Sequence, residues 1–161
     1  MIQINEFVNK LTTQLQAQPV QHVMELKPLL EYYNGFDWIN HIEIEVNVPK
    51  TIVLFQNEQV KVLLEYWPGY QQNKQSKNLK TGGLLKVLSG QLTESRLDLS
   101  APGKVTEKLT YQKGDIIYIT EGAAYQAVEY PVPYSAFSLA IYLSDAYRSK
   151  SSMQKTVATQ R

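Results

Sequence analysis

The spacing of apolar residues changes once along this chain, and the change constrains its architecture more than any other feature. Ile4, Phe7, Val8, Leu11 and Leu15 recur at helical spacing, with Asn5, Glu6, Asn9 and Lys10 between them, and the run ends before Pro19. Such a stripe predicts an amphipathic helix whose apolar face covers another layer. Val23, Leu26, Leu30 and Tyr33 repeat the pattern, with Pro28 opening a new helical turn and Gly35 as a C-terminal stop after Asn34. From about Thr51 the period is two. The runs Thr51 to Gln56, Gln59 to Trp67, Leu84 to Leu99, Lys104 to Gln112, Asp115 to Thr120, Tyr125 to Tyr130 and Ser135 to Leu143 read as strands. Turn signals separate or interrupt them, among them Asn57-Glu58, Pro68-Gly69, Gly82-Gly83, Ser89-Gly90, Lys113-Gly114 and Pro131-Val132-Pro133. Many short strands at this spacing predict a barrel or sandwich rather than a βαβ sheet.

A length of 161 residues with 43% hydrophobic content suits one domain with one main core. The expected domain runs over 1–148, with a helical part at 1–35 and a β-barrel at 50–147. The segment 149–161 has no acid and little apolar content and reads as a frayed tail. Sixteen basic against fifteen acidic residues leave a formal charge of +1, too weak a field to suggest nucleic acid or an anionic membrane as partner. Without cysteine the chain has no disulfide, thiolate metal site or thiol nucleophile, which fits a reducing compartment. Polar and charged residues are distributed throughout Met1 to Leu15, and no stretch approaches the roughly 18 apolar residues of a membrane span. The expected address is the cytoplasm.

Tyr66-Trp67-Pro68-Gly69, a polar loop, and then Val87-Leu88-Ser89-Gly90-Gln91-Leu92-Thr93-Glu94 resemble the first motif of bacterial cysteine dioxygenases, members of the cupin superfamily. Gly114-Asp115-Ile116-Ile117-Tyr118-Ile119 resembles that family's second motif, and Ser138-Leu139-Ala140-Ile141-Tyr142 its closing strand. The likeness spans roughly Pro28 to Tyr147. It implies a mainly β fold, a cupin-type jelly-roll barrel preceded by N-terminal α-helices.

The resemblance also implies an Fe(II) held by three histidines, and this chain departs from it there. It has two histidines, His22 and His41, both ahead of the barrel motifs, so the family's three-histidine set cannot be assembled within one chain. Counting from Gly69, the first ligand pair falls at Gln75 and Lys77; counting back from Gly90, it falls at Ser76 and Asn78. The third ligand falls at Tyr125 or Gln126. The family's carboxylate-gripping arginine aligns with Ile52, which cannot form that bidentate contact. Its closing-strand histidine aligns with Ala140, and Tyr142 alone remains of the catalytic pair. Gly83 stands where some relatives carry a cysteine crosslinked to that tyrosine and bacterial members carry glycine. No iron or other cofactor is expected, and no residue is assigned a catalytic role. An amide oxygen of Gln75, Asn78 or Gln126 could touch a hard cation, but only Glu121 and Glu129 look placed to add a carboxylate.

Other features carry two readings each. Lys74, Lys77 and Lys80 in the loop Tyr70 to Gly83 could receive an anion with the Gly82 and Gly83 amides, but alternating Lys, Gln and Asn describes a solvated loop better. Tyr66, Trp67, Tyr118, Tyr125 and Tyr142 could form a stacking pocket, but bulky aromatics in a small barrel more often fill it. His22 and His41 read as surface or packing residues before acid–base catalysts.

Three functions compete. The first, favoured here, is a metal-free cupin that binds a small molecule or partner, with a pocket built from Gln75, Asn78, Tyr125, Gln126 and Tyr142. The second is a thiol dioxygenase-type oxidoreductase with an atypical metal site. The third is a structural or interaction protein with a filled barrel, working as a homodimer. The first makes the chain a pseudoenzyme relative of the dioxygenases.

Overall fold

The computed structural model describes residues 1–68, 77–78, 82–97, 105–119, 124–129 and 136–144. Helix α1 spans Ile4–Ala17, as its apolar stripe requires, and buries Ile4, Phe7, Leu11 and Leu15. A 3-10 turn at Val23–Leu26 runs into α2, Lys27–Tyr32, with Pro28 inside its first turn, where the missing N–H would have no partner in the helix. A second 3-10 turn covers Asp37–His41. Among the described residues no helix is long and apolar enough to cross a membrane.

The strands follow as β1 Lys50–Gln56, β2 Val60–Trp67, β3 Lys77–Asn78, β4 Gly83–Ser89, β5 Gln91–Leu97, β6 Val105–Gln112, β7 Ile116–Ile119, β8 Ala124–Glu129 and β9 Ala136–Leu143. Within the described residues every predicted run is present. The long run from Leu84 divides at Gly90, whose φ of 76° makes the turn that a side chain would disfavour. Two short elements were not foreseen: the 3-10 turn Asp37–His41, and β3, inside what reads as a surface loop, whose two residues pair with Ala124 and Tyr125 of β8. The rest of that loop, with Lys74 and Lys80, lies outside the described residues, as does the predicted tail 149–161.

The strands form two antiparallel sheets, one in the order β1-β2-β9-β4-β7 and one in the order β3-β8-β5-β6. The central strands of the larger sheet, β2, β9 and β4, are buried on both faces, and the period of two sorts their side chains. Val60, Val62, Leu64 and Tyr66 of β2, with Leu139, Ile141 and Leu143 of β9, pack beneath the helices. The alternate positions, Leu63 and Trp67 of β2 and Ala136, Ala140 and Tyr142 of β9, face Leu92 and Tyr111 of the smaller sheet. Two apolar layers therefore share one sheet, and each large buried side chain contributes about 2 kcal/mol.

Polar residues pin the helical layer to the sheet. Asn57 Oδ1 accepts from the amides of Gln59 at 2.8 Å and Val60 at 2.9 Å, which closes the β1–β2 turn. Gln59 then accepts from Val20 N at 3.0 Å and reaches Leu15 O at 3.4 Å, tying that turn to the end of α1. Asp37 Oδ2 accepts from Ile4 N at 2.9 Å, so a residue 33 positions away supplies the cap that Gln3 does not. Gly35, expected as a C-terminal stop after Asn34, lies three residues past the end of α2, and its φ is not positive. A Cβ there would lie 2.3 Å from Ile2 O, so glycine is needed for close approach of the N-terminal strand of chain.

Candidate functional site

The inward face of the larger sheet carries a polar group of residues on two adjacent strands. In β2 the positions Val60, Val62, Leu64 and Tyr66 turn toward the helices, so the alternation sends Glu65 inward between Leu63 and Trp67. Glu65 is 3% exposed and stands opposite Ser138 of β9, which is fully buried. Trp67 Nε1 donates to Ser138 Oγ at 2.8 Å. Tyr142 OH donates to Glu65 Oε1 at 3.4 Å, the long limit of a hydrogen bond.

Gly83 explains how the tyrosine ring fits. It pairs with Tyr142 across β4 and β9, and a Cβ on it would stand 2.5 Å from Cδ1 and 2.6 Å from Cε1 of that ring. The ring thus lies flat on the backbone of β4. Gly83→Ala is expected to push Tyr142 off its position and destabilise the fold by about 1–2 kcal/mol through overpacking. Chemical denaturation measures the loss, and a Gly83→Ala protein as stable as the parent would contradict the packing described.

Burial holds the Tyr142 phenol well above its ordinary value, and the Glu65 carboxylate beside it adds to the shift by charge and by hydrogen bond. Tyr33 is raised in the same way, first by burial and then by its 3.0 Å hydrogen bond to Asp37 Oδ1. Both phenols keep their protons in the fold after those of the unfolded chain, near pH 10, have ionised. Their stabilising effect is complete below about pH 10 and is lost as pH rises toward the folded values. Lys86, whose ammonium burial lowers, acts in the opposite sense, one group against two. Absorbance titration of the eleven tyrosines should therefore show at least two phenolates appearing only as the chain unfolds. Full titration near pH 10 with the fold intact would refute this.

The sequence-predicted site residues fall in two places. The pairing of β3 with β8 puts the backbone of Asn78 opposite Ala124 and that of Lys77 opposite Tyr125, next to Gln126. Tyr142 belongs to the other sheet. Gln75 and Glu121 lie outside the described residues. Glu121 and Glu129 are the carboxylates that the sequence offers near the second motif; the structure places another, Glu65, on the inward face of β2. The signal for it was legible, since the uniformly apolar even positions of β2 match the helical layer and leave Glu65 on the other face.

Of the five aromatics expected to share the barrel, the four whose side chains are described divide between its two sides. Trp67 and Tyr142 face inward, while Tyr66 and Tyr118 pack on the helical side, Tyr66 against Phe137 with ring centroids 5.1 Å apart. Both histidines are also on the helical side. His22 Nδ1 accepts from Met24 N at 3.1 Å, capping the first 3-10 turn, and its Nε2 lies 3.0 Å from Tyr118 OH. His41 Nε2 lies 3.7 Å from Asp37 Oδ2. Among the described residues no three His, Asp or Glu side chains gather as metal ligands would.

No protein-family model matches the chain, and no curated protein matches it. Solved structures do. A cupin superfamily protein from Desulfitobacterium hafniense superposes with a TM-score of 0.51 over 70% of this chain and 92% of its own, at 16% identity. An RmlC-like cupin with a double-stranded β-helix from Methanocaldococcus jannaschii gives 0.51 over 68% and 92%, at 14% identity. A double-stranded β-helix protein from Klebsiella pneumoniae gives 0.53 over 70% and 85%, at 15% identity. The chain has the cupin fold. The cupin barrel expected from the motifs is thus present, with its helices ahead of it. At these identities the likeness speaks for fold and not for chemistry, and nothing in it singles out the cysteine dioxygenases among cupins.

Proposed function

We propose that this cupin is a metal-independent relative of the cysteine dioxygenases that binds a small molecule in its barrel. The observation that carries this is the placement of Glu65, Ser138 and Tyr142 together on the inward face of β2 and β9. A buried carboxylate and phenol cost desolvation energy that an all-apolar interior would avoid, so their retention favours a role in recognition over packing alone. Gln75, Asn78, Tyr125 and Gln126 are the proposed remainder of the lining.

The three-histidine iron site does not fit this chain. Its two histidines lie behind the larger sheet, and the inward polar groups among the described residues include a carboxylate, two hydroxyls and an indole. Neutral imidazole nitrogens suit Fe(II) far better than a single carboxylate with alcohols. No iron-dependent step is therefore assigned, and the protein is read as non-catalytic. The close seating of Tyr142 on Gly83 favours a second reading, a filled barrel in a protein that works through its outer surface, as a homodimer.

Native mass spectrometry of the full chain separates the two. Small-molecule binding predicts a non-covalent adduct that unfolding releases and that Glu65→Gln combined with Tyr142→Phe loses. A bare mass for the wild-type chain from several hosts and media would favour the filled barrel.

A further inference from the structure

A concave site lies on the opposite side of the larger sheet from Glu65, and it is independent of the barrel reading. Between α1, the Asp37–His41 turn and β1 runs an open groove of about 410 Å³, lined by Ile4, Asn5, Val8, Asn9, His41 and Leu54. That size is within the range of small-molecule sites, roughly 300–1,000 Å³.

Its lining alternates by helical geometry. Ile4 and Val8 form one row of α1 and Asn5 and Asn9 the next, each pair one turn apart. The apolar row and Leu54 give a floor, while the two carboxamides and the His41 imidazole form a polar edge. Each carboxamide brings two donors and an acceptor. Neither makes a side-chain hydrogen bond to the described residues, although helix positions this exposed tolerate any polar residue.

The electrostatics point to a neutral ligand. No lining residue carries a fixed charge, and the His41 Nε2 has the Asp37 carboxylate behind it at 3.7 Å. A fixed anion would face Asp37, and a cation would find no counter-charge in the lining. We propose that this groove binds a small neutral polyol of the monosaccharide class. Asn5, Asn9 and His41 would take its hydroxyls, and Ile4, Val8 and Leu54 its C–H face.

The test is an NMR titration of the ¹⁵N-labelled full chain with D-glucose and with myo-inositol. Cyclohexanol, sodium acetate and n-butylamine serve as apolar, anionic and cationic comparisons. The expected result is saturable movement of the Asn5 and Asn9 side-chain amide signals and of the Leu54 amide by a polyol and not by the comparison probes. Asn5→Ala with Asn9→Ala should weaken that binding about tenfold or more, because each lost hydroxyl partner costs on the order of 1 kcal/mol. Alanine suits exposed helix positions, so this variant keeps its fold. Tyr142→Phe, in the barrel, should leave the titration unchanged. Movement caused by acetate, butylamine or cyclohexanol alone, polyol shifts that survive the double substitution, or no saturable shift from either polyol would overturn the proposal.

Discussion

Replacing Lys86 with methionine should cost about 3 kcal/mol of stability, because it removes a charged donor from three carbonyls at once. Lys86 is 9% exposed, and its Nζ lies 2.6 Å from Tyr33 O, 3.2 Å from Leu30 O and 3.3 Å from Glu31 O. Those oxygens end α2, a helix of six residues whose last carbonyls have no amide within the helix to receive. A lysine from β4 supplies what a longer helix would, and its charge suits the negative end of the helix. Methionine keeps most of the length of the side chain, one atom short, and loses every hydrogen bond. For a chain this size, about 3 kcal/mol lowers Tm by roughly 10 °C. Lys27→Met is the control, since Lys27 meets Glu31 at 3.6 Å with both side chains about half exposed, and such pairs are worth about 0.5 kcal/mol. Equal Tm values for the two variants would contradict the role given to Lys86.

Gly35→Ala should be about as severe, near 3 kcal/mol, at the upper end of overpacking costs. The added methyl would stand 2.3 Å from Ile2 O and 2.9 Å from Asp37 Oδ1. The first of these is backbone and cannot swing away, unlike the ring that faces Gly83. Displacing residue 2 also strains its 3.0 Å bond from the amide to Asn34 Oδ1 and the cap from Ile4 N to Asp37, which together seat α1. Thermal unfolding measures the loss. A drop smaller than about 1 kcal/mol would mean that the N-terminal segment relaxes freely, and α1 would then be less firmly docked than its buried stripe indicates.

How much of this was legible in the sequence depends on the kind of interaction. The helices and strands came from periodicity, which works here because one face of each element is uniformly apolar, as at Ile4, Phe7, Leu11 and Leu15. The short strand β3 was missed because Lys77 and Asn78 have no strand character of their own; only pairing with β8 makes them one. The reason for Gly35 was missed for a related cause, since its constraint comes from Ile2 across a tertiary contact rather than from local φ. The barrel tyrosine was placed by motif likeness, but its partner was not. Glu65 belongs to no motif, and its inward position follows only once the helices are known to cover the other face of β2. Lys86 was equally hidden, a lone charged residue in the apolar run Leu84 to Leu88 whose acceptors are more than 50 positions away.

We propose that this cupin fold works without the iron chemistry of the family that its motifs resemble. The most direct test is elemental analysis of the full chain purified after expression with added iron, alongside oxygen uptake with L-cysteine. The account predicts iron well below one atom per chain and no cysteine-dependent uptake. Stoichiometric iron with uptake that depends on cysteine would contradict it, and would mean that groups other than histidine support thiol oxidation in this barrel.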